Sequence, residues 1–286
     1  MMTNKSRSEH PYKAPAVLLD ELGITEPSEI VIEAIAQHCG ATIVYEPLEG
    51  CQARILGVGD RAIITVNSRS PHERRRFSGA HELGHWMRDR GKVAFACTDR
   101  NFVREWGDDN PERAANRYAA ALLLPPQMFK AAVVTRPPTF ATVKDLAKVF
   151  GTSRTATAVR LIELTDLPAM ITCYESGRRL WFAPSKTVPS GFFPVQRLGS
   201  GSVAAGLLAS AGNQEPGPTV VDANEWIDRA DAARYSLVED SVRAGPGAVL
   251  TLLWWKDEAQ VLDADEDEDS DPGMTGMLTF GRRRRR

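Results

Sequence analysis

The strongest constraint on this chain is a pair of histidines, His81 and His85, that stand four residues apart on either side of Glu82 and Leu83-Gly84. On an α-helix, residues four apart lie one turn from each other on the same face, so both imidazoles can reach one metal ion. Glu82 projects to the side where a metal-bound water would lie. The spacing therefore predicts a helix that carries a metal site.

The residues before the pair predict where that helix begins. Ser70 is a suitable N-cap, Pro71 suits the first helical position, and Glu73 completes a capping box. Gly91 is a natural end for the helix. Because the two variable positions of the pattern are uncharged and the apolar pattern continues beyond it, we favour the HExxH motif of zinc peptidases over two surface histidines.

A catalytic zinc takes three protein ligands and leaves one position open for water. The metzincin extension is excluded, because Arg88 and Gly91 stand where it needs glycine and histidine. Another element must supply the third ligand, and the acidic candidates are Glu105, Asp108, Asp109 and Glu112. We favour Glu112, because it opens a second helix whose small residues allow close approach. Its alternative role is an N-terminal helix acid stabilised by the helix dipole.

The neighbouring residues suggest how the site would work. Asn116, one turn after Glu112, can accept a hydrogen bond from the outer nitrogen of a ligating histidine. Glu82 is expected to accept a proton from the attacking water and to pass it to the leaving amine. His72 and Tyr118 are candidates for a donor that polarises the substrate carbonyl. The ligand set suits zinc, with manganese as the alternative ion.

Composition and charge narrow the class of protein. Apolar residues make up 43% and charged residues 25% of the 286, as in a soluble globular protein. No apolar run approaches the ~20 residues that span a bilayer. The four cysteines are scattered without a CxxC pair, which indicates reduced cytosolic thiols. We therefore expect a cytoplasmic protein with no membrane partner.

The helical and strand-like segments along the chain, and the breaks between them, predict an α+β fold that is divided into several domains. The predicted segments are a disordered N-terminus at 1–12, a zinc-peptidase-like domain at 13–135, a helix-turn-helix-like unit at 136–167 and an α/β domain at 168–286. In the second segment, a helix is predicted from 27 to 38, followed by strands at 42–45, 53–56 and 62–66.

The middle unit has helical patterns at 143–150 and 154–164 around Gly151. Thr157 and Arg160 stand where a DNA-reading unit usually has buried apolar residues. The basic residues available for phosphate contacts are Lys144, Lys148, Arg154 and Arg160. Because the net charge is −2, we favour a structural bracket or a surface that docks a protein over direct DNA binding.

The last segment alternates short strands and helices. Strands are predicted at 169–174, 180–183, 248–255 and 277–280, helices at 203–208 and 223–233, and an acidic loop at 263–271. Two aromatic pairs, Phe192-Phe193 and Trp254-Trp255, are candidates to line a small-molecule pocket, with core packing as the favoured role.

The stretch from Glu112 to Pro125 reads E-x-x-A-N-x-Y-A-A-x-L-L-x-P. Together with Ala80–His85, it resembles the signature of the ImmA/IrrE family of bacterial zinc peptidases. The resemblance implies a gluzincin-like peptidase domain with His81, His85 and Glu112 as metal ligands and Glu82 as the catalytic acid/base.

The order of the segments resembles that of deinococcal members of this family, in which the last domain is GAF-like and sensory. The implied activity is site-specific cleavage of a helix-turn-helix transcriptional repressor, DdrO in deinococci, which derepresses the radiation and desiccation response. The implied signal is a small molecule at the last domain. The alternative is a non-enzymatic metal-binding regulator that binds promoter DNA through its middle unit.

Overall fold

In the computed structural model, residues 12–89, 94–97, 110–189, 191–210 and 215–257 are described, and the chain divides into two compact units, Met1–Leu164 and Thr165–Arg286. Both are mixed α and β, which agrees with the expected α+β class. No helix among these residues combines the length and the apolar character that a membrane span needs. The predicted acidic loop and the strand at 277–280 lie outside the described residues.

The first unit is built on a four-stranded sheet in the order β1-β3-β2-β4. The strands are β1 (Ala41–Glu46), β2 (Ala53–Val58), β3 (Arg61–Asn67) and β4 (Ala94–Cys97). β1 pairs in parallel with β3, whereas β2 runs antiparallel to both of its neighbours. Buried and exposed side chains alternate along β2 and from Arg61 to Ile64 of β3, so this part of the sheet packs one face against helices and exposes the other.

Seven α-helices belong to the described part of the first unit. They are α1 (Pro15–Glu21), α2 (Ile32–His38), α3 (His72–Asp89), α4 (Pro111–Leu123), α5 (Pro126–Val133), α6 (Phe140–Phe150) and α7 (Arg154–Leu164). The predicted helix from 27 to 38 is split, because a three-residue 3-10 helix, Pro27–Glu29, is separated from α2 by extended backbone at Val31. The seven-residue α1 was not predicted from the sequence.

α3 is the central helix of this unit. From Ser78 to Met87 every residue is buried, because the helix lies between the sheet and α4. The indole of Trp86 donates a hydrogen bond to the carbonyl of Cys39 at 2.8 Å. A Cβ on Gly57 of β2 would lie 2.7 Å from the Trp86 ring, so the missing side chain lets the indole lie against the sheet. These contacts fix the helix that carries His81 and His85.

α6 and α7 are the two helices of the middle segment, and Gly151 lies between them in the left-handed region at φ 61°. Thr157 is fully buried, and its hydroxyl donates to the carbonyl of Ser153 at 2.9 Å and lies 2.8 Å from Oγ1 of Thr152. A polar side chain is tolerated here because both contacts satisfy its hydroxyl group. The turn is therefore packed as part of the core.

The second unit contains a five-stranded antiparallel sheet in the order β6-β5-β9-β8-β7. Its elements are β5 (Ala169–Glu175), β6 (Arg178–Pro184), α8 (Val203–Ala209), β7 (Thr219–Asp222), β8 (Ser236–Gly245) and β9 (Ala248–Trp254). The prediction of a helix at 223–233 is wrong. Two short 3-10 helices, Ala223–Glu225 and Ala232–Arg234, occupy that segment because Trp226 turns into the core, where it is fully buried.

A buried carboxylate organises this unit. Glu239 of β8 is fully buried and accepts hydrogen bonds from the backbone N–H groups of Val203 and Ala204 at 3.0 and 2.7 Å. It also accepts from the Trp226 indole at 2.8 Å and from the Ser241 hydroxyl at 2.7 Å. The carboxylate therefore ties the first turn of α8 to the sheet, where its charge complements the helix dipole.

The aromatic pairs divide between core and surface. Phe192 and Trp255 are buried, with ring centroids 5.7 Å apart in an edge-to-face contact. Phe193, by contrast, is 51% exposed. The cavity beside Phe192, Trp255 and Tyr235 has a volume of about 10 Å³, which is about the space that one water molecule needs. Core packing is therefore the role that the structure gives to Phe192 and Trp255.

Candidate metal centre

α3 brings the two histidines together in the interior of the first unit. His81 and His85 are 7% and 2% exposed, and their Nε2 atoms are 3.1 Å apart. The ring centroids are 4.8 Å apart and the rings are nearly perpendicular. This is the geometry that the i, i+4 spacing predicts, with both Nε2 atoms directed at one point.

The carboxylate of Glu112 completes the cluster from the first turn of α4. Asn110 caps that helix, its side-chain oxygen accepting a hydrogen bond from the Glu112 N–H at 2.9 Å. The Glu112 carboxylate oxygens lie 3.2 Å from Nε2 of His81 and 3.3 Å from Nε2 of His85. The helix start thus aims the carboxylate at both imidazoles.

These three side chains have the donor set and the spacing of a zinc site. Zinc bonds of about 2.0–2.1 Å at a tetrahedral centre place neighbouring ligand atoms about 3.3 Å apart. Here the two Nε2 atoms are 3.1 Å apart, and each lies 3.2–3.3 Å from a different oxygen of the Glu112 carboxylate. The cluster of His81, His85 and Glu112 could therefore hold one metal ion.

Asn116 orients one of the imidazoles. Its side-chain oxygen lies 2.8 Å from Nδ1 of His81. Because an amide oxygen only accepts, Nδ1 of His81 carries a proton in this contact, and Nε2 is the ring nitrogen that faces the cluster. The sequence-based prediction that Asn116 bonds the outer nitrogen of a histidine agrees with this contact.

The contacts of Glu112 with the two histidines also determine its ionisation. Hydrogen bonds from His81, and then from His85, hold the pKa of the Glu112 carboxyl far below its ordinary value, against the opposing effect of burial. Glu112 is therefore ionised across the physiological range. An anionic carboxylate next to two imidazole nitrogens is the state that binds a divalent cation.

Two further residues of α3 lie near the cluster: Glu82, which is buried beside His81, and Gly84, which lies against α4. Glu82 follows His81 directly and is fully buried. Sequence reasoning did not single out Gly84, although a Cβ there would lie 3.0 Å from Cβ of Tyr118 in α4. In the sequence, the small residues of α3 and α4 were the only signal for the close approach of these two helices.

The remaining sequence candidates are not brought into the cluster. His72 is exposed at the start of α3, nine residues and therefore about 13 Å along the helix axis from His81. Tyr118 is buried in the hydrophobic core, where its ring meets that of Tyr12 edge-on at 6.2 Å. The alternative third ligands Glu105, Asp108 and Asp109 lie outside the described residues.

Comparison with known proteins agrees with this geometry. The family model for IrrE N-terminal-like domains, in the M78 peptidases, matches residues 36–162, which run from α2 through α7. A solved structure of a Mycobacterium tuberculosis transcriptional regulator matches 84% of this chain and 74% of its own, with a TM-score of 0.55 and 15% identity, which is a similarity of fold. No curated protein matches the chain. Residues 36–162 are therefore an IrrE N-terminal-like domain of the ImmA/IrrE family.

Proposed function

We propose that the protein is a zinc-dependent endopeptidase of the HExxH, gluzincin type, with His81, His85 and Glu112 as metal ligands and Glu82 as the catalytic acid/base. The observation that carries the proposal is that the two Nε2 atoms are 3.1 Å apart and that each lies 3.2–3.3 Å from a carboxylate oxygen of Glu112. A fully buried glutamate next to the first ligand supplies the proton-transfer group that hydrolysis needs. The membership of this domain in a peptidase family supports the same reading.

When bound, zinc supplies Lewis-acid polarisation of the scissile carbonyl and lowers the pKa of water from ~15.7 toward ~7. Glu82 accepts the proton of the attacking water as the new C–O bond forms. It then donates that proton to the amine nitrogen as the peptide C–N bond breaks. Asn116 holds the His81 ring in the orientation that directs Nε2 into the cluster. Manganese is the alternative ion for this ligand set.

We further propose that the substrate is a helix-turn-helix transcriptional repressor in the cytoplasm, and that its cleavage derepresses genes of the DNA-damage, radiation and desiccation response. The support is the family resemblance of the metal motifs and of the segment order. In this proposal residues 13–135 are the peptidase domain, 136–167 the helix-turn-helix-like unit, and 168–286 a GAF-like domain that senses a small molecule.

The proposal is tested by incubating the purified protein with a candidate repressor, with and without a chelator. The unmodified protein is expected to produce one cut that the chelator abolishes and added zinc restores. Glu82→Gln is expected to bind zinc normally and to lose cleavage by at least about a hundredfold. Glu73→Gln, which changes an acid in the first turn of the same helix, is the matched control and is expected to cleave normally.

Two results would contradict the proposal. Cleavage that survives complete removal of metal would exclude a metal-dependent peptidase, and full activity in metal-loaded Glu82→Gln would exclude Glu82 as the base. Absence of cleavage together with sequence-specific, steeply salt-dependent promoter binding would favour the non-enzymatic regulator instead.

A further inference from the structure

Arg160 of α7 contacts the helix that carries Glu112. Its Nε and Nη2 atoms both donate to the carbonyl of Leu124, at 2.9 and 2.8 Å. Leu124 is the C-cap of α4 and is 1% exposed. A cation at this position complements the negative end of the helix dipole, and a charged donor makes both hydrogen bonds strong. Arg160, one of the basic residues available for phosphate contacts, therefore makes hydrogen bonds within the protein.

Arg76 makes the reciprocal contact from the other metal-binding helix. It lies in α3, five residues before His81, and its Nη1 atom donates to the carbonyls of Phe150 and Gly151 at 2.8 and 3.2 Å. Those carbonyls end α6 at the helix turn. Nη2 donates to the carbonyl of Ile30 at 2.8 Å. A Cβ on Gly151 would overlap Nη1 of Arg76, so this turn accepts the guanidinium only because it has glycine.

The two arginines connect α3 and α4 to one pair of helices, α6 and α7. Arg76 joins α3 to the end of α6, and Arg160 joins α7 to the end of α4. α6 and α7 pack on each other, and the compact unit that holds the metal cluster extends to Leu164. The separation of α3 and α4 is thus set from two directions, by their own contact and by the α6–α7 pair.

The distances along α4 show how a movement at Leu124, where Arg160 binds, would reach Glu112. From the point where α4 touches α3, at Ala115, Leu124 is nine residues away, or about 13 Å, whereas Glu112 is three residues away, or about 4.5 Å. If α4 pivots at Ala115, a displacement of about 1 Å at Leu124 moves Glu112 by about 0.3 Å. Metal sites hold their ligand distances to within about 0.2 Å. Free movement of the Leu124 end would therefore disturb the ligand set.

We propose that Arg160 and Arg76 are positioning residues for the metal centre, and that the α6–α7 pair is a brace that holds Glu112 against His81 and His85. The inference rests on the proposed metal site, although not on the identity of the substrate. It assigns the helix-turn-helix-like unit to the metal centre, through contacts between buried or half-buried groups.

The test is the affinity of the full chain for zinc and cobalt, measured by competition with a chelator at a temperature where every variant is folded. Arg160→Met and Arg76→Met are each expected to weaken binding roughly tenfold, the lower end of the loss that follows removal of a ligand's hydrogen-bond partner. The visible absorption of bound cobalt should also shift, because the coordination geometry changes. Arg160→Lys, which keeps a donor for Leu124, is expected to restore part of the affinity.

Two control variants separate positioning from a general loss of charge or stability. Glu163→Gln removes the negative charge that lies 3.0 Å from Nη1 of Arg160 and leaves both bonds to Leu124. Lys148→Met removes an exposed cation from α6. Both are expected to keep the affinity and the cobalt spectrum of the unmodified protein.

The outcomes distinguish this inference from the proposed function. Unchanged affinity and spectrum in Arg160→Met would overturn the brace and leave the peptidase proposal standing. If Arg160→Met does not fold, the same two measurements on Arg160→Lys and Arg76→Met decide the inference by the same criterion. Weakened metal binding in the arginine variants, in a protein that never cleaves a substrate, would support the brace and contradict the proposed function. An unmodified protein that binds neither ion would overturn both.

Discussion

Gly84 of α3 lies against the backbone of Ala115 in α4. A Cβ on Gly84 would lie 3.1 Å from Cα and 3.3 Å from the carbonyl oxygen of Ala115. Both of those atoms belong to the backbone, so neither can be relieved by a side-chain rotation. The separation of α3 and α4, and with it the distance from Glu112 to the histidines, depends on the absence of a side chain at Gly84.

Gly84→Ala is expected to push α4 away from α3 and to lower zinc affinity by about tenfold, while the metal-free protein stays folded. Alanine favours a helix over glycine by about 1 kcal/mol, which offsets part of the steric cost. Chelator competition measures the affinity, and Gly206→Ala in α8, where a Cβ would meet nothing within 4 Å, is the control. Equal zinc affinity in Gly84→Ala and the unmodified protein would contradict this account of the helix contact.

Zinc is expected to raise the melting temperature through Glu112. A ligand that binds only the folded state stabilises it by about 4 kcal/mol at a thousand times its dissociation constant. Glu112→Ala should abolish the zinc-dependent shift in a thermal melt, since a tetrahedral site would keep only two protein ligands. Glu105→Ala, Asp108→Ala and Asp109→Ala are the matched controls and should keep it. A shift that is lost in one of these controls and kept in Glu112→Ala would identify a different third ligand.

Asn116→Ala is expected to weaken zinc binding by about 10–100-fold, because the His81 ring loses the acceptor that fixes its tautomer and orientation. Asn116→Asp keeps an acceptor oxygen 2.8 Å from Nδ1 and should retain most of the affinity. Isothermal titration with zinc provides the comparison. If both variants bind as tightly as the unmodified protein, the contact has no role in the metal site.

Glu239→Ala is expected to destabilise the second unit by at least about 3 kcal/mol. The substitution removes the acceptor from two backbone N–H groups, an indole and a hydroxyl, and an unsatisfied buried donor costs about 1–3 kcal/mol. Calorimetric unfolding measures the change, with Glu175→Ala at an exposed strand end as the control. A similar small loss in both variants would show that the Glu239 network contributes little.

Local sequence signals were sufficient for most of the first unit. The i, i+4 spacing and the residues around Pro71 predicted α3 to within two residues at its start, and alternation predicted the strands of the β2–β3 hairpin. Glu112 was favoured because an acid at a helix start with small neighbours suits close packing. Each of these inferences depends on residues near one another in sequence, where propensity and periodicity carry the information.

The features that were missed depend on contacts between distant segments. β8 was not predicted, because Glu239 and Asp240 in its middle resemble a solvated stretch, yet both are buried and Glu239 binds the start of α8. From the sequence alone, Arg160 resembles an exposed cation. Only the fold shows that the carbonyl of Leu124 lies beside it. Neither partner can be identified from the neighbouring sequence.

Gly151 can be explained by a sequence motif or by a packing contact. In a DNA-reading helix-turn-helix, a glycine at the turn belongs to the recognition pattern, and the same residue stands here at φ 61°. In this protein the side chain of Arg76 fills the space that a Cβ would need. The glycine would thus be required in a protein that never meets nucleic acid, and a motif scan has no means of separating the two causes.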